Sequence, residues 1–408
     1  DDNVTAAKIS NNEDFTINSV TVGKGANSVA GNTVVGESAL DASVSGGNNT
    51  AVGFEALTLL TSGANNTAIG RRCMNNNTTG SYNTGVGTGA LDGNTTASYN
   101  TAVGYFACGT NTTGTRNVAV GSVALDANTT GDDITAIGHG SLGANTTGNQ
   151  NTAVGKGCLN SNTTADNNTA VGYAALNLNT TGTKNTAVGA NALDANTTAD
   201  NNTAVGWVAL GGNTTGTENT AVGRNSLESN TTGSNNTAVG AMALDDNNAD
   251  NNTAVGYKAL NLNQTGTLNT AVGANALDAN TTGSNNTAMG TNALGVNTTA
   301  SNNTAFGTSA LSDNTIGGKN VAVGSFALDA NTEGDANIAI GADALGANTS
   351  ADYNTAVGHE ALKVNTTGGV NTAIGAWALD TNTTGHSNVA VGGAALTGNT
   401  TGINNIAV

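Results

Sequence analysis

Three histidines and three cysteines are the side chains in this 408-residue chain best suited to proton transfer, nucleophilic attack or metal ligation. Enzymes bring a few unlike groups together at one place, and the spacing here works against that. His139 and His359 each follow a recurrent glycine, His386 falls in a turn, and each lies 27 or more residues from the next. They are expected to be surface variants. Cys73, Cys108 and Cys158 stand three or four residues after a recurrent glycine, where Ala and Leu stand in other copies, and are expected to be small core residues. Their separation of two or three repeats is too great for an intrachain disulfide in a stacked fold, and no paired spacing suggests a metal. Catalysis, a cofactor and a metal are therefore not expected.

Two further patterns carry chemistry in other proteins. Asp126-Ala127-Asn128-Thr129-Thr130-Gly131 has the opening spacing of a calcium loop, but its fifth position is Thr and the later bidentate Glu is missing. A turn that needs Asp, Asn and Gly accounts for it. Asn-Thr-Thr and Asn-Asn-Thr are glycosylation acceptor patterns and recur along the chain. Glycans about 4.8 Å apart on successive coils would collide, so most of these acceptors are expected to be bare.

The position just after each recurrent glycine is the most variable. Phe54, Tyr105, Tyr173, Trp207 and Tyr257 occupy it, with Arg71, His139, Lys156, Arg224 and His359 in other copies. Such variety implies exposure, and large aromatic side chains on an exposed edge suit stacking on sugars or packing against a neighbouring fibre. Solvent-facing residues under little constraint are the alternative. A cell-surface glycan or receptor is the partner class that these side chains fit.

The elements that must hold these positions follow from the repeat itself. From Gly36 to Gly392 a glycine returns twenty-two times behind a short apolar pair, as at Gly189, Gly206, Gly223 and Gly240. The interval is 17 residues except from Gly240 to Gly256, where one residue is missing from Asp245-Asp246-Asn247-Asn248-Ala249-Asp250. So strict a register means stacked equivalent units. With aromatic content of 3% and charged content of 10%, the chain has neither a bulky core nor a charged surface, and an ordinary globular fold is excluded. The 57 glycines have no triplet period, which excludes collagen, and no proline interrupts a backbone ladder. A net charge of -17 argues against nucleic acid and acidic membrane surfaces as partners. No apolar run is long enough for a membrane helix, and membrane insertion is not expected.

Asn, Thr and Gly are weak helix formers, so short strands and turns are the better reading. The predicted fold is all-β, a parallel β-solenoid or β-roll of about 22 coils, one per repeat. In it Asn202 to Val205 extend, Gly206 bends, Trp207 to Leu210 extend again, and Asn213-Thr214-Thr215-Gly216 turns the chain. At the usual strand spacing the coils would build a rod roughly 105 Å long. Asn179, Asn196 and Asn213 would stack and exchange amide hydrogen bonds. Residues 1–22 lack the full repeat and are expected to cap or link; residues 23–408 form the repeat domain.

Adjacent residues on a strand point to opposite faces. Ala204 and Val205, and equally Ala192 and Leu193, are therefore expected to face one in and one out, leaving an apolar stripe outside each coil. A stripe of that length needs a partner, and three copies in register would bury it, so a homotrimer is expected. The alternative is a single-chain solenoid whose strands bend both members inward. Thr197 and Thr214 would stack as well, which raises ice binding as a minor alternative, although their Asn and Gly neighbours suggest a corner rather than a flat face.

The N-terminal copies, Asn18 to Gly23 and Asn27-Ser28-Val29-Ala30-Gly31, resemble the head repeats of trimeric autotransporter adhesins. The 17-residue units, such as Asn252-Thr253-Ala254-Val255-Gly256-Tyr257-Lys258-Ala259-Leu260, resemble repeats of bacteriophage tail fibres and related bacterial surface fibres over nearly the whole chain. The resemblance implies a left-handed parallel β-roll in a trimer that attaches to a cell or surface, located outside the cell or on a virion. The expected function is the non-enzymatic shaft or head of such a fibre, most like a phage tail fibre. A bacterial adhesin or self-assembling matrix filament is the alternative.

Overall fold

The computed structural model describes residues 14–408. The backbone falls into two compact units, one up to Asn201 and one from Asn202 to Val408. Both are built the same way, and along the chain there are about 22 turns of a parallel β-solenoid with about 17 residues per turn. The fold class read from the repeat is the one observed.

The first unit opens with a hairpin. Strand β1 (Phe15–Ile17) pairs antiparallel with β2 (Val20–Gly23), and β2 pairs antiparallel with β3 (Thr33–Gly36). The carboxylate of Asp14 accepts from the backbone N–H groups of Lys24 and Gly25 at 2.5 and 2.7 Å, which holds the chain after β2. The first parallel pair is β3 with β4 (Thr50–Val52). The short copy Asn18 to Gly23 thus supplies an antiparallel strand rather than a coil, and it occupies the β3 edge that would otherwise carry unpaired backbone groups.

From β4 to β12 (Thr186–Val188) in the first unit, and from β13 (Thr203–Val205) to β25 (Ile406–Ala407) in the second, each coil contributes one short strand. Successive strands within a unit pair in parallel and in register, as Thr203, Ala204 and Val205 do with Thr220, Ala221 and Val222. The missing residue of the 16-residue coil does not disturb this register, since Thr237 still pairs with Thr253. The corner absorbs it: Asn247 donates to the carbonyl of Ala249, two residues on, where Asn230 donates to that of Gly233, three residues on.

The alternation expected of the strand is present. Ala204 is fully buried and Val205 is 37% exposed. The alternation expected of the second apolar pair is not. Ala192 and Leu193 are both fully buried, as are Ala209 and Leu210. The segment Trp207 to Leu210 is a run of turns rather than an extended strand, with left-handed φ of 55° at Val208 and 53° at Leu210. Left-handed residues at every second position curl the backbone, so successive side chains no longer point to opposite faces. Such a conformation costs a non-glycine residue roughly 1–2 kcal/mol. Here it is held by bonds both within the coil and to the next one, from Asn213 N–H to Leu210 O at 3.2 Å and from Leu210 N–H to Ser226 O at 2.9 Å.

A typical coil therefore buries two alanines and one leucine, together with two asparagines, with Cys, Ser, Met or Ile standing in at single positions. In one asparagine row, Asn280 donates Nδ2 to Asn263 Oδ1 at 2.8 Å and to Gly283 O at 3.0 Å, and accepts from Asn297 Nδ2 at 2.9 Å. Asn179 and Asn196 belong to the same row in the first unit and are bonded to each other at 2.9 Å, as the stacking argument expects. A second row, which the sequence argument did not single out, stands at the entry to the parallel strands, with Ile134 in the asparagine's place at one of them. There Asn269 Oδ1 accepts from Asn286 N–H at 3.0 Å, and Asn269 Nδ2 donates to Gly283 O at 2.8 Å. Buried amides that satisfy one another along a row avoid the cost of an unpaired polar group.

Candidate functional site

The strand face gives each unit its outer apolar surface. Thr or Val opens the strand, Ala points inward, and the third residue is half-exposed to solvent, as at Val222, Val239 and Val255, each 37% exposed. Larger apolar residues take the same place in later coils of the second unit, Phe306 at 52% and Ile340 at 39%. In β20 (Val321–Val323), β21 (Ile338–Ile340) and β24 (Val389–Val391) the outward threonine is itself replaced by Val or Ile. The stripe lies on the strand alone, because the Ala-Leu pair that was expected to add to it is buried.

The five aromatic residues singled out after the recurrent glycines are all exposed. Phe54, Tyr105 and Tyr173 belong to the first unit, Trp207 and Tyr257 to the second. Phe54 and Tyr105 are 51 residues apart, which is three coils, and among the described residues none of the five rings stacks on another of the set. Tyr105 instead meets Phe106 edge to face at 4.8 Å, and Lys258 places its ammonium 5.8 Å from the Tyr257 ring centre. Each is a separate contact point.

The recurrent glycines have a clear structural reason. Gly189, Gly206, Gly223 and Gly240 share φ between 137° and 143°, a region open to glycine. A Cβ on Gly206 would also lie 2.4 Å from the carbonyl oxygen of Gly223 in the next coil. The close approach of backbone to backbone at this bend is what excludes any side chain.

The structure adds an aromatic pair that the sequence argument passed over. Tyr82 and Tyr99, one coil apart at the corner before the buried asparagine, stack with ring centres 5.1 Å apart and planes within 1°. Their separation of 17 residues was the signal available.

The histidines are exposed as expected. His359 nevertheless has company. Its Nε2 lies 3.7 Å from Glu360 Oε1, and its ring meets that of Trp377 edge to face at 5.8 Å. Lys363 Nζ donates to Glu360 Oε1 at 2.7 Å, and Trp377 Nε1 donates to Glu360 Oε2 at 3.1 Å. The hydrogen bond from Lys363 holds the Glu360 carboxyl below its usual range, and the same bond raises the Lys363 ammonium. One ligand atom each from Asp343, His359 and Glu360 falls within 4.8 Å of the others. Asp343 and Glu360 are 17 residues apart, so two carboxylates occupy one position on successive coils.

Three other candidates resolve into structure. Cys73, Cys108 and Cys158 are buried free thiols, and loss of solvent pushes Cys73 and Cys108 up to about 12. In the Asp126 turn, Asn128 Nδ2 donates to Asn111 Oδ1 and Gly131 O, and its Oδ1 accepts from Asn145, so the amide is already used within the ladder. The asparagine of Asn-Thr-Thr is a buried ladder member, as at Asn280, whereas the first asparagine of Asn-Asn-Thr, as at Asn235, is an exposed corner residue. The first threonine after the ladder asparagine, the row of Thr197 and Thr214, is also engaged: Thr214 Oγ1 donates to Thr231 O, and Thr281 Oγ1 to Thr298 O, both at 3.0 Å. Each of these hydroxyls spends its proton on the next coil and keeps its oxygen as an acceptor.

An open polar groove of about 410 Å³ lies beside Asn275, Asp278, Asn292, Ser309, Ser312 and Asp313. Among the described residues no helix is long and apolar enough to cross a membrane. No protein-family model matches the chain, and no curated protein matches it.

Proposed function

We propose that this chain is the shaft or head of a homotrimeric attachment fibre, outside the cell or on a virion, and acts without catalysis. The observation that carries the reading is the outward row of Val, Ile and Phe on the strand face. A half-exposed apolar side chain in coil after coil, flanked by Thr or by a second apolar residue, is more contiguous apolar surface than a soluble monomer usually leaves open. A second and third copy in the same register present the same row at the same spacing, so each coil meets its equivalents and the stripe is buried around a common axis. The charge of -17 per chain disfavours association through acidic surfaces and leaves the nearly uncharged strand face as the favoured contact.

In this reading the parallel backbone ladders and the asparagine rows make a stiff spacer, and the hairpin at the N-terminal edge caps the first coil. Contact with a cell-surface glycan or receptor falls to the exposed aromatic residues, Phe54, Tyr105, Tyr173, Trp207 and Tyr257, each of which presents a ring for stacking. Mass in solution by light scattering tests the trimer. Three times 39.7 kDa is expected, and Val239→Asp together with Val255→Asp, which place charge in the stripe without touching the core, should return the mass to 39.7 kDa. A native chain that is monomeric would overturn the shared stripe. Open-ended polymers would favour the self-assembling matrix filament instead.

A further inference from the structure

We propose that Asp343, His359 and Glu360 form a site for a divalent transition-metal ion of the zinc class on the edge of the second unit. Two carboxylates and one imidazole are a donor set that Zn²⁺, Co²⁺ and Ni²⁺ accept, whereas Ca²⁺ requires six or more oxygen ligands, which three side chains do not supply. The three ligand atoms are already within 4.8 Å of one another, and His359 Nε2 and Glu360 Oε1 are at 3.7 Å. Donors about 2.1 Å from a tetrahedral ion stand roughly 3.4 Å apart, so closure needs a shift of little more than about 1 Å in side chains that are exposed at His359 and part-buried at Asp343 and Glu360.

Three features of the coil prepare the site. The backbone beneath it is fixed, since Asp343 N–H donates to Ser325 O at 3.1 Å and Glu360 N–H to Ala342 O at 2.9 Å. The ligands therefore stand on a rigid ladder rather than on a mobile loop. Trp377 Nε1–H holds the far oxygen of Glu360 at 3.1 Å, the kind of outer hydrogen bond that orients a metal-binding carboxylate. Finally, Asp343 and Glu360 stand at one position on successive coils and bring a carboxylate oxygen each within 4.8 Å of the other and of the imidazole, so two negative ligands face one point. Lys363 supplies one positive charge at Glu360 Oε1, and the ion replaces it with two while Lys363 swings into solvent.

Titration of the full chain with ZnCl₂, followed by calorimetry, tests this. One ion per chain is expected to bind at pH 7.5, and because metal binding displaces protons from its ligands the affinity should fall as the solution is made more acidic. His359→Ala and Asp343→Asn should each weaken binding at least about tenfold, and Lys363→Ala should strengthen it by removing the competing ammonium. All three residues lie at the surface, and an unchanged far-ultraviolet circular dichroism spectrum confirms that the fold is kept. As a second readout, Ni²⁺ should quench the fluorescence of Trp377 in the Trp207→Phe variant, where it is the one tryptophan left. Absence of zinc binding by the native chain, or binding that His359→Ala leaves unchanged, overturns the proposal.

Discussion

Asn280 and Asn263, 17 residues apart in the sequence, lie one above the other in the core, joined by a 2.8 Å hydrogen bond from amide to carbonyl oxygen. That bond is one step of a row in which each asparagine both donates and accepts, and it ties the side-chain interior to the same register as the strands. A single substitution in the row breaks several bonds at once.

Replacing Asn280 with Ala removes two donated bonds and one accepted bond: buried Asn263 Oδ1 loses its amide donor, while Asn297 Nδ2 keeps Ala300 O and Gly283 O keeps Asn269 Nδ2. An orphaned buried acceptor costs about 1–3 kcal/mol and each further lost bond about 1 kcal/mol, so a loss of about 3 kcal/mol is expected. Urea denaturation followed by circular dichroism should show it. Asn285→Ala, at the exposed corner of the same coil, serves as the comparison, and an Asn280→Ala midpoint no lower than its own would show that the ladder adds little.

Gly206→Ala should be at least as damaging. The substitution sets a Cβ 2.4 Å from Gly223 O at a φ of 143°. Backbone strain of this kind costs on the order of 1–3 kcal/mol before the two coils are forced apart. Gly393→Ala, where an added Cβ meets nothing within 4 Å, should change stability by less than about 0.5 kcal/mol. Equal thermal midpoints for the two variants would contradict the close-approach argument.

Asp245 predicts a pH dependence. Loss of solvent, with Glu228 and Asp246 adding like charge, pushes its carboxyl up to about 6 from an ordinary value of 3.8. A raised carboxyl binds its proton more tightly folded than unfolded, so its contribution to stability is fully present below pH 3.8 and is lost as the pH rises through about 6. Asp245→Asn, which cannot ionise, should therefore raise the denaturation midpoint at pH 7.5 and leave it nearly unchanged at pH 4. A lower midpoint at pH 7.5 would reverse the sign of the effect.

The buried thiols should be silent in the native state. With Cys73 and Cys108 up at about 12 and Cys158 also raised by burial, no thiolate is available near neutral pH. A chromogenic disulfide reagent at pH 8 should label none of the three until denaturant is added, and then all three. Rapid labelling without denaturant would place at least one of them outside the core.

Much of this architecture is legible in one dimension. The 17-residue return of Gly206, Gly223 and Gly240 specifies a coil and its register, and the missing residue near Asn247 points to the corner that absorbs it. Ala204 and Val205 separate inside from outside because a strand has a period of two, which is a local property. The exposed row that begins with Phe54 was visible in its variability. The cluster around His359 was not, because it joins Asp343, Glu360, Lys363 and Trp377 across three coils, and the histidine judged alone looks like any exposed variant. The second asparagine row was hidden by the Asn-Asn-Thr repeat, in which the buried and the exposed asparagine are neighbours. Ile134 marks that row from the other side: an apolar residue stands in the asparagine's place, fully buried, with its N–H still bonded to Asn117 Oδ1 at 3.0 Å.

The sequence by itself determined that the chain is a stack of equivalent coils, which residues form each row, and that the strand carries an apolar outer face, because these follow from strict periodicity and from strand geometry. Only the tertiary structure decided where Leu210 and its equivalents go. Their inward direction depends on left-handed φ at alternate residues, and that conformation is unfavourable within one repeat. It is stabilised by bonds such as Leu210 N–H to Ser226 O, which exist only once the next coil is in place.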